Sequence, residues 1–218
     1  MNSTAHMIQD EWLLSYAAGS LTPGRSLMIA SHMSYHDQVR ARVADAEAIG
    51  GALLESATPA SLDDALLENL LSRLDEASPP APLPDVPVKN GTIFPSALTE
   101  HIGTDERALK WRWMGPGMHY VRLWDGPDDE RVWLLRAKGG VTVPDHGHSG
   151  DEWTLVLKGS YRTELGHFRV GDIDAAGEET EHQPVIDDGE ECICLVMTKG
   201  PLRMKGLFAR MAQPFIGL

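Results

Sequence analysis

The chain has 218 residues, 42% apolar and 23% charged, with 21 Gly and 14 Pro, enough for one sizeable core or two small ones, and this excludes a disulfide-stapled mini-protein. Nineteen Lys and Arg against 32 Asp and Glu give a formal net charge of −13. A field of that sign repels phosphate backbones, so no direct nucleic-acid binding is expected.

No stretch approaches the roughly 18 consecutive apolar residues of a membrane helix, and the opening MNSTAHMIQDEW lacks the basic-then-apolar pattern of a signal peptide. A cytoplasmic protein with no membrane contact is therefore expected. Its only cysteines, Cys192 and Cys194, lie two apart, where a disulfide would distort a strand. That pairing suits a reducing compartment.

The first part of the chain reads as helices. Ile8, Trp12, Leu13, Tyr16 and Ala17 recur at helical spacing, with Gly19 as the stop. Thr22-Pro23 then supplies an N-cap and a proline at the first helical position, opening a second helix through Leu27 and Met28 towards His32. A third runs from about Tyr35 through Val39, Val43, Ala46 and Ile49 to Gly50-Gly51, beyond which helix is weakened. A fourth is expected from Ser61, with Asp64 three residues on as a short capping-box analogue and Leu62, Leu66, Leu70 and Leu74 at intervals of four beside Leu67 and Leu71. That stripe must be buried either in its own domain or on another protein.

Pro79, Pro80, Pro82, Pro84 and Pro87 fall within nine residues, a density that forbids helix and favours an extended linker over 79–92. Beyond it the pattern turns to strands. Runs such as HYVRLW, RVWLLRA, EWTLVLKG and CICLVM are punctuated by GPG, DGP, KGG and VGD turns, the signature of an all-β barrel or sandwich. The first 90 residues carry 12 acidic and 5 basic side chains against 20 and 14 in the rest, so the helical part has the denser negative charge. It is the better docking surface for a basic partner.

The strongest chemical signal is Gly140-x5-His146-x-His148-x3-Glu152-x6-Gly159, followed by Gly171-x10-His182. Two histidines separated by one residue point to the same face of a strand, and a glutamate past a turn reaches the same point. Three imidazoles and one carboxylate make a site suited to zinc, iron, manganese or nickel, with one or two positions left open. This pattern resembles the two motifs of the cupin family, departing in the second at Gly177, Glu179 and Ile186. The resemblance implies a double-stranded β-helix barrel over residues 93–218 with His146, His148, Glu152 and His182 as metal ligands.

Before the linker the histidines are His6, His32 and His36, the last two four apart. A helical region with an early His and a later His-x3-Cys-x2-Cys marks zinc-binding anti-sigma domains, and one subfamily adds a cupin. The chain resembles that subfamily, the ChrR-type anti-sigma factors, through LLSYAAGSLT, SHMSYHDQVRARV, VPDHGHSGDEWTLVLKGSY, ECICLVMT and AQPF. Here His36 and Val39 stand where the family has cysteines. His6, His32 and His36 are thus the residues to which the resemblance assigns a second, tentative zinc, with water or Asp37 to complete the tetrahedron.

The resemblance implies a multidomain protein: a four-helix, all-α anti-sigma domain over 1–78, the linker 79–92 and an all-β cupin over 93–218. It implies sequestration of an extracytoplasmic-function sigma factor and its release on an oxidative or related signal. The protein is then a transcription regulator and not an enzyme, with zinc in the cupin and a homodimer through the cupin compatible with the sequence. Cys192 and Cys194 are candidate oxidisable groups or small buried strand fillers. The alternative is a metal-dependent cupin enzyme of dioxygenase or isomerase type, with Asp145, Tyr161 or Glu164 as acid/base groups or solvated strand residues. No GxxxxGK[ST], GxSxG or Rossmann fingerprint occurs.

Overall fold

The computed structural model describes residues 6–63, 65–76 and 91–204. Helices α1 (Asp10–Ala17), α2 (Pro23–Met33), α3 (Asp37–Glu55) and α4 (Leu66–Glu76) come first. After them come α5 (Ser96–Ile102) and the strands β1 (Arg112–Gly115), β2 (Met118–Asp125), β3 (Glu130–Ala137), β4 (His146–His148), β5 (Glu152–Lys158) and β6 (Ser160–Thr163). The remaining strands are β7 (Gly166–Arg169), β8 (Ile173–Ala176), β9 (Glu181–His182), β10 (Val185–Ile186), β11 (Cys192–Lys199) and β12 (Leu202–Met204). The expected linker, apart from residues 91 and 92, and the AQPF stretch lie outside the described residues.

Six strands form one sheet in the order β1-β2-β3-β11-β5-β8; β10-β6-β7 and β12-β4-β9 form two smaller ones. The near-continuous apolar runs of β5 and β11 follow from cover on both faces of the large sheet. Val132, Leu134, Trp153, Leu155, Ile193, Leu195 and Met197 pack against Leu13, Leu27, Met28, Ile29, Val39 and Val43 of the helices. The alternate residues, Trp133, Val156, Cys194 and Val196, join Tyr161, Phe168 and Ile186 of the smaller sheets. Two separate cores, one helical and one all-β, were the expectation from the proline-rich break. Instead the helices and the large sheet share a single apolar cluster, because α2 lies directly on the outer face of β3, β5 and β11.

Helix α2 is held at its start from across this joint. Thr22 makes no cap with its own helix. In its place Glu130 of β3 accepts a hydrogen bond from the Thr22 hydroxyl and another from the Gly24 amide at 2.8 Å, so a carboxylate satisfies a first-turn donor and faces the positive end of the helix dipole. Arg25 pairs with Asp151 and lies over the rings of Trp12 and Trp153 at 4.5 and 5.3 Å.

Helix α3 runs through Gly50-Gly51 to Glu55, the weakened continuation that the sequence left open. Two features differ from expectation. Helix α4 starts at Leu66, five residues after Ser61. Helix α5, placed between Pro95 and the left-handed Gly103 (φ 68°), was not anticipated in the β region.

Candidate metal centre and its surroundings

His146 and His148 stand at either end of the three-residue β4, on one face, and His182 of β9 is the register partner of His146. Glu152 opens β5 on the face away from the helices, which turns its carboxylate inward. The Nε2 atoms of His182 and His146 lie 3.1 Å apart, and those of His148 and His182 lie 3.3 Å apart. Glu152 oxygens are 3.7–3.8 Å from all three rings. One ligand atom from each residue falls within 4.8 Å of the others, and all four residues are buried.

This donor set fits a metal ion. Ligand atoms about 2.0–2.1 Å from a common ion sit about 2.8–3.4 Å apart at octahedral or tetrahedral angles, a range that includes the imidazole separations. His146 Nδ1 lies 2.9 Å from the Pro144 carbonyl, which can only accept, so Nδ1 carries the proton and the Nε2 lone pair faces the cluster. The Nδ1 atoms of His148 and His182 are buried without a hydrogen bond. The group could hold a metal ion in the position the spacing implied.

Burial is the leading influence on every group here. It holds His182 down at about 4 and lowers His148, so both favour the neutral, lone-pair-bearing ring. For His146 burial is outweighed by the hydrogen bond and charge of Glu152, and its pKa rises. Glu152 is lowered, burial being overcome by its contact with His146 and the charges of the three rings.

A second layer was not legible as a site. Tyr161 donates to Asp174 Oδ2 at 3.1 Å, and that oxygen lies 3.9 Å from His182 Nδ1. Burial raises Asp174 to about 6. Tyr161, weighed as an acid/base group or a solvated residue, is a buried one. The signal available for Asp174 was an acid alternating with Ile173 inside a strand. Cys192 and Cys194 are 1% and 2% exposed with sulfurs 3.6 Å apart. The hydrogen bond shared with Cys192, then burial, pushes the Cys194 thiol well up, so it stays protonated at neutral pH.

His6, His32 and His36 do not join this group, nor do they form another metal-holding group among the described residues. His6 precedes α1, His32 lies in the last turn of α2 and His36 is the N-cap of α3. Val39 is fully buried in the helix–sheet core.

Residues 99–202 match the model of the ChrR Cupin-like domain family. The chain is 38% identical over 211 residues to the anti-sigma-E factor ChrR of Cereibacter sphaeroides, covering 96% of this chain and 97% of that protein. Among solved structures it is similar to ChrR in the crystal structure of Rhodobacter sphaeroides SigE in complex with the anti-sigma ChrR, with a TM-score of 0.74 and 37% identity. That match covers 88% of this chain and 98% of the other. With its metal-type cluster embedded in the matched cupin-like region and its helical part inside the same end-to-end alignment, the chain belongs to the ChrR family of anti-sigma factors.

Proposed function

We propose that this protein is an anti-sigma factor whose helical part, residues 1–78, sequesters an extracytoplasmic-function sigma factor, and whose cupin unit releases it on an oxidative or related signal. The observation that carries the reading is uncovered apolar surface on two helices. Ile49, Leu53 and Leu54 at the end of α3, and Leu67 and Leu71 of α4, are exposed, with Leu67 68% accessible. Leucines at helical spacing on an exposed face are the apolar anchors of helix-in-groove recognition. The dense negative charge of the same region complements the basic surfaces with which a promoter-binding protein contacts DNA.

On this reading four helices make up the sigma-binding part and the three sheets close into a double-stranded β-helix barrel. His146, His148, Glu152 and His182 hold its metal, zinc by choice of donors, with iron, manganese or nickel compatible. A metal with open positions supplies a point where an oxidant or small ligand can bind. The chain's own part is to present three lone pairs and one carboxylate in a buried setting. The rival reading, a cupin enzyme, shares the cluster but has no use for the leucine face, and the relative matching nearly the whole chain is a regulator.

The test is capture of a sigma factor by the tagged full chain from its native cell under unstressed conditions. Leu67→Glu with Leu71→Glu should weaken capture by at least about 100-fold, since two buried leucines contribute roughly 3–6 kcal/mol, without lowering the melting temperature. His146→Ala should lose the cupin metal while retaining capture. A full chain that recovers no sigma factor, or glutamate variants that bind as wild type does, would overturn the reading.

A further inference from the structure

The three histidines to which the family resemblance assigns a zinc all contact one stretch of the sheet, between Gly166 and Ile173. His32 Nδ1 and His36 Nε2 each lie 2.9 Å from one atom, the carbonyl oxygen of Gly171 in the turn before β8. A carbonyl only accepts, so both ring nitrogens are N–H donors there and have no lone pair for a metal; the two bonds fill both lone pairs of the oxygen. His6 binds the next two residues through its backbone: its amide donates to Asp172 Oδ1 at 3.1 Å, and its carbonyl accepts from the Ile173 amide at 2.9 Å. Its ring packs at a tilt on Phe168, with centroids 4.4 Å apart, and lies against Gly166, where an added Cβ would come within 2.8 Å of it.

Gly171 is shaped for this contact. Its φ of 89° suits glycine alone, and a Cβ there would approach Tyr35 Cβ to 2.8 Å and His36 Nε2 to 3.2 Å. Of the ring nitrogens of His32, Nε2 alone is buried without a partner. One nitrogen is not a site: Val39, where the resemblance has a second thiolate, is sealed in the apolar core, and no group of three donors surrounds it among the described residues.

We propose that His6, His32 and His36 bind no metal in this chain and instead form a clasp on the turn Gly171–Ile173, so that hydrogen bonds to the sheet do the holding that zinc is assigned in the family. The clasp also ties the helices to β8, whose Asp174 lies beside His182 of the metal centre. It goes beyond the sigma-factor reading and stands or falls independently of it.

The role of donor can be separated from that of ligand in the full-length protein. His32→Asn with His36→Gln keeps an N–H close to each original donor but supplies no imidazole. This variant should keep the wild-type metal content, about one equivalent that disappears on His146→Ala, and exchange of the Ile173 amide should stay within about threefold of wild type. His32→Leu with His36→Leu should keep the metal as well, while Ile173 exchanges at least tenfold faster. Two equivalents in wild type, one of them lost in the Asn/Gln variant, would overturn the proposal. So would an Asn/Gln variant that fails to fold, because donors alone would then be insufficient, or leucine variants whose Ile173 amide stays as protected as in wild type.

Discussion

His32 is 0% exposed, and burial first, then the charge of His36, lowers its pKa to about 4, against opposing contributions from Gly171 and Asp172. In the unfolded chain the same ring titrates near 6.5. As pH falls from 6.5 towards 4 the unfolded state therefore takes up a proton that the folded state refuses, and stability is lost. The contribution is fully present above 6.5 and reduced by about 3 kcal/mol at pH 4. His32→Asn removes the titration and keeps a donor, so its stability measured by urea unfolding should decline less steeply than wild type over that window. Identical slopes would mean that His32 is already protonated or solvated in the folded protein. At this scale the cluster of His146, His148, Glu152 and His182 was legible, because a period of two and a fixed loop fix which side chains meet. The clasp was not, because its acceptor is a backbone carbonyl more than 130 residues from the histidines, and carbonyls leave no mark on a sequence.

Helix α2 illustrates how an element's context reverses an intrinsic preference. Gly24 sits in its first turn, where alanine would be the better helix former by up to about 1 kcal/mol. A Cβ there would meet the Glu130 carboxylate and come within 2.7 Å of Val132 Cγ2, and Glu130 is the group that caps the helix. Gly24→Ala is thus expected to destabilise by about 1–3 kcal/mol, as overpacking does, and a thermal melt showing stabilisation would contradict this close approach. Thr22-Pro23 announced the start of α2 correctly, but the cap itself comes from β3. Gly50-Gly51 weakens α3 without ending it, and nothing within 4 Å of either position explains a packing need for glycine. The leucine stripe of α4 was read correctly as amphipathic; its start moved because Ser61 and Leu62 precede the helix.

For the whole molecule, the change of pattern at the proline run predicted where helices give way to strands but suggested a separation that the packing does not have. Periodicity marks an apolar face without naming the surface that covers it. Here the face of α2 is covered by β3, β5 and β11, and Trp12 meets Trp153 edge-on with centroids 4.9 Å apart. Burial of Leu27, Met28 and Ile29 in this joint contributes roughly 1.5–3 kcal/mol each, a large share of the 5–15 kcal/mol that typically holds a protein folded. The helices α1–α3 and the large sheet should consequently unfold as one unit. In native-state hydrogen exchange over a denaturant series, the amides of Leu27–Ile29 in α2 and Leu195–Met197 in β11 should merge onto one opening free energy, while α4, with its exposed leucines, opens at lower cost. If α2 instead opened at a denaturant concentration well below that of β11, the helical part would be a separate cooperative unit and the shared core would contribute little to holding it.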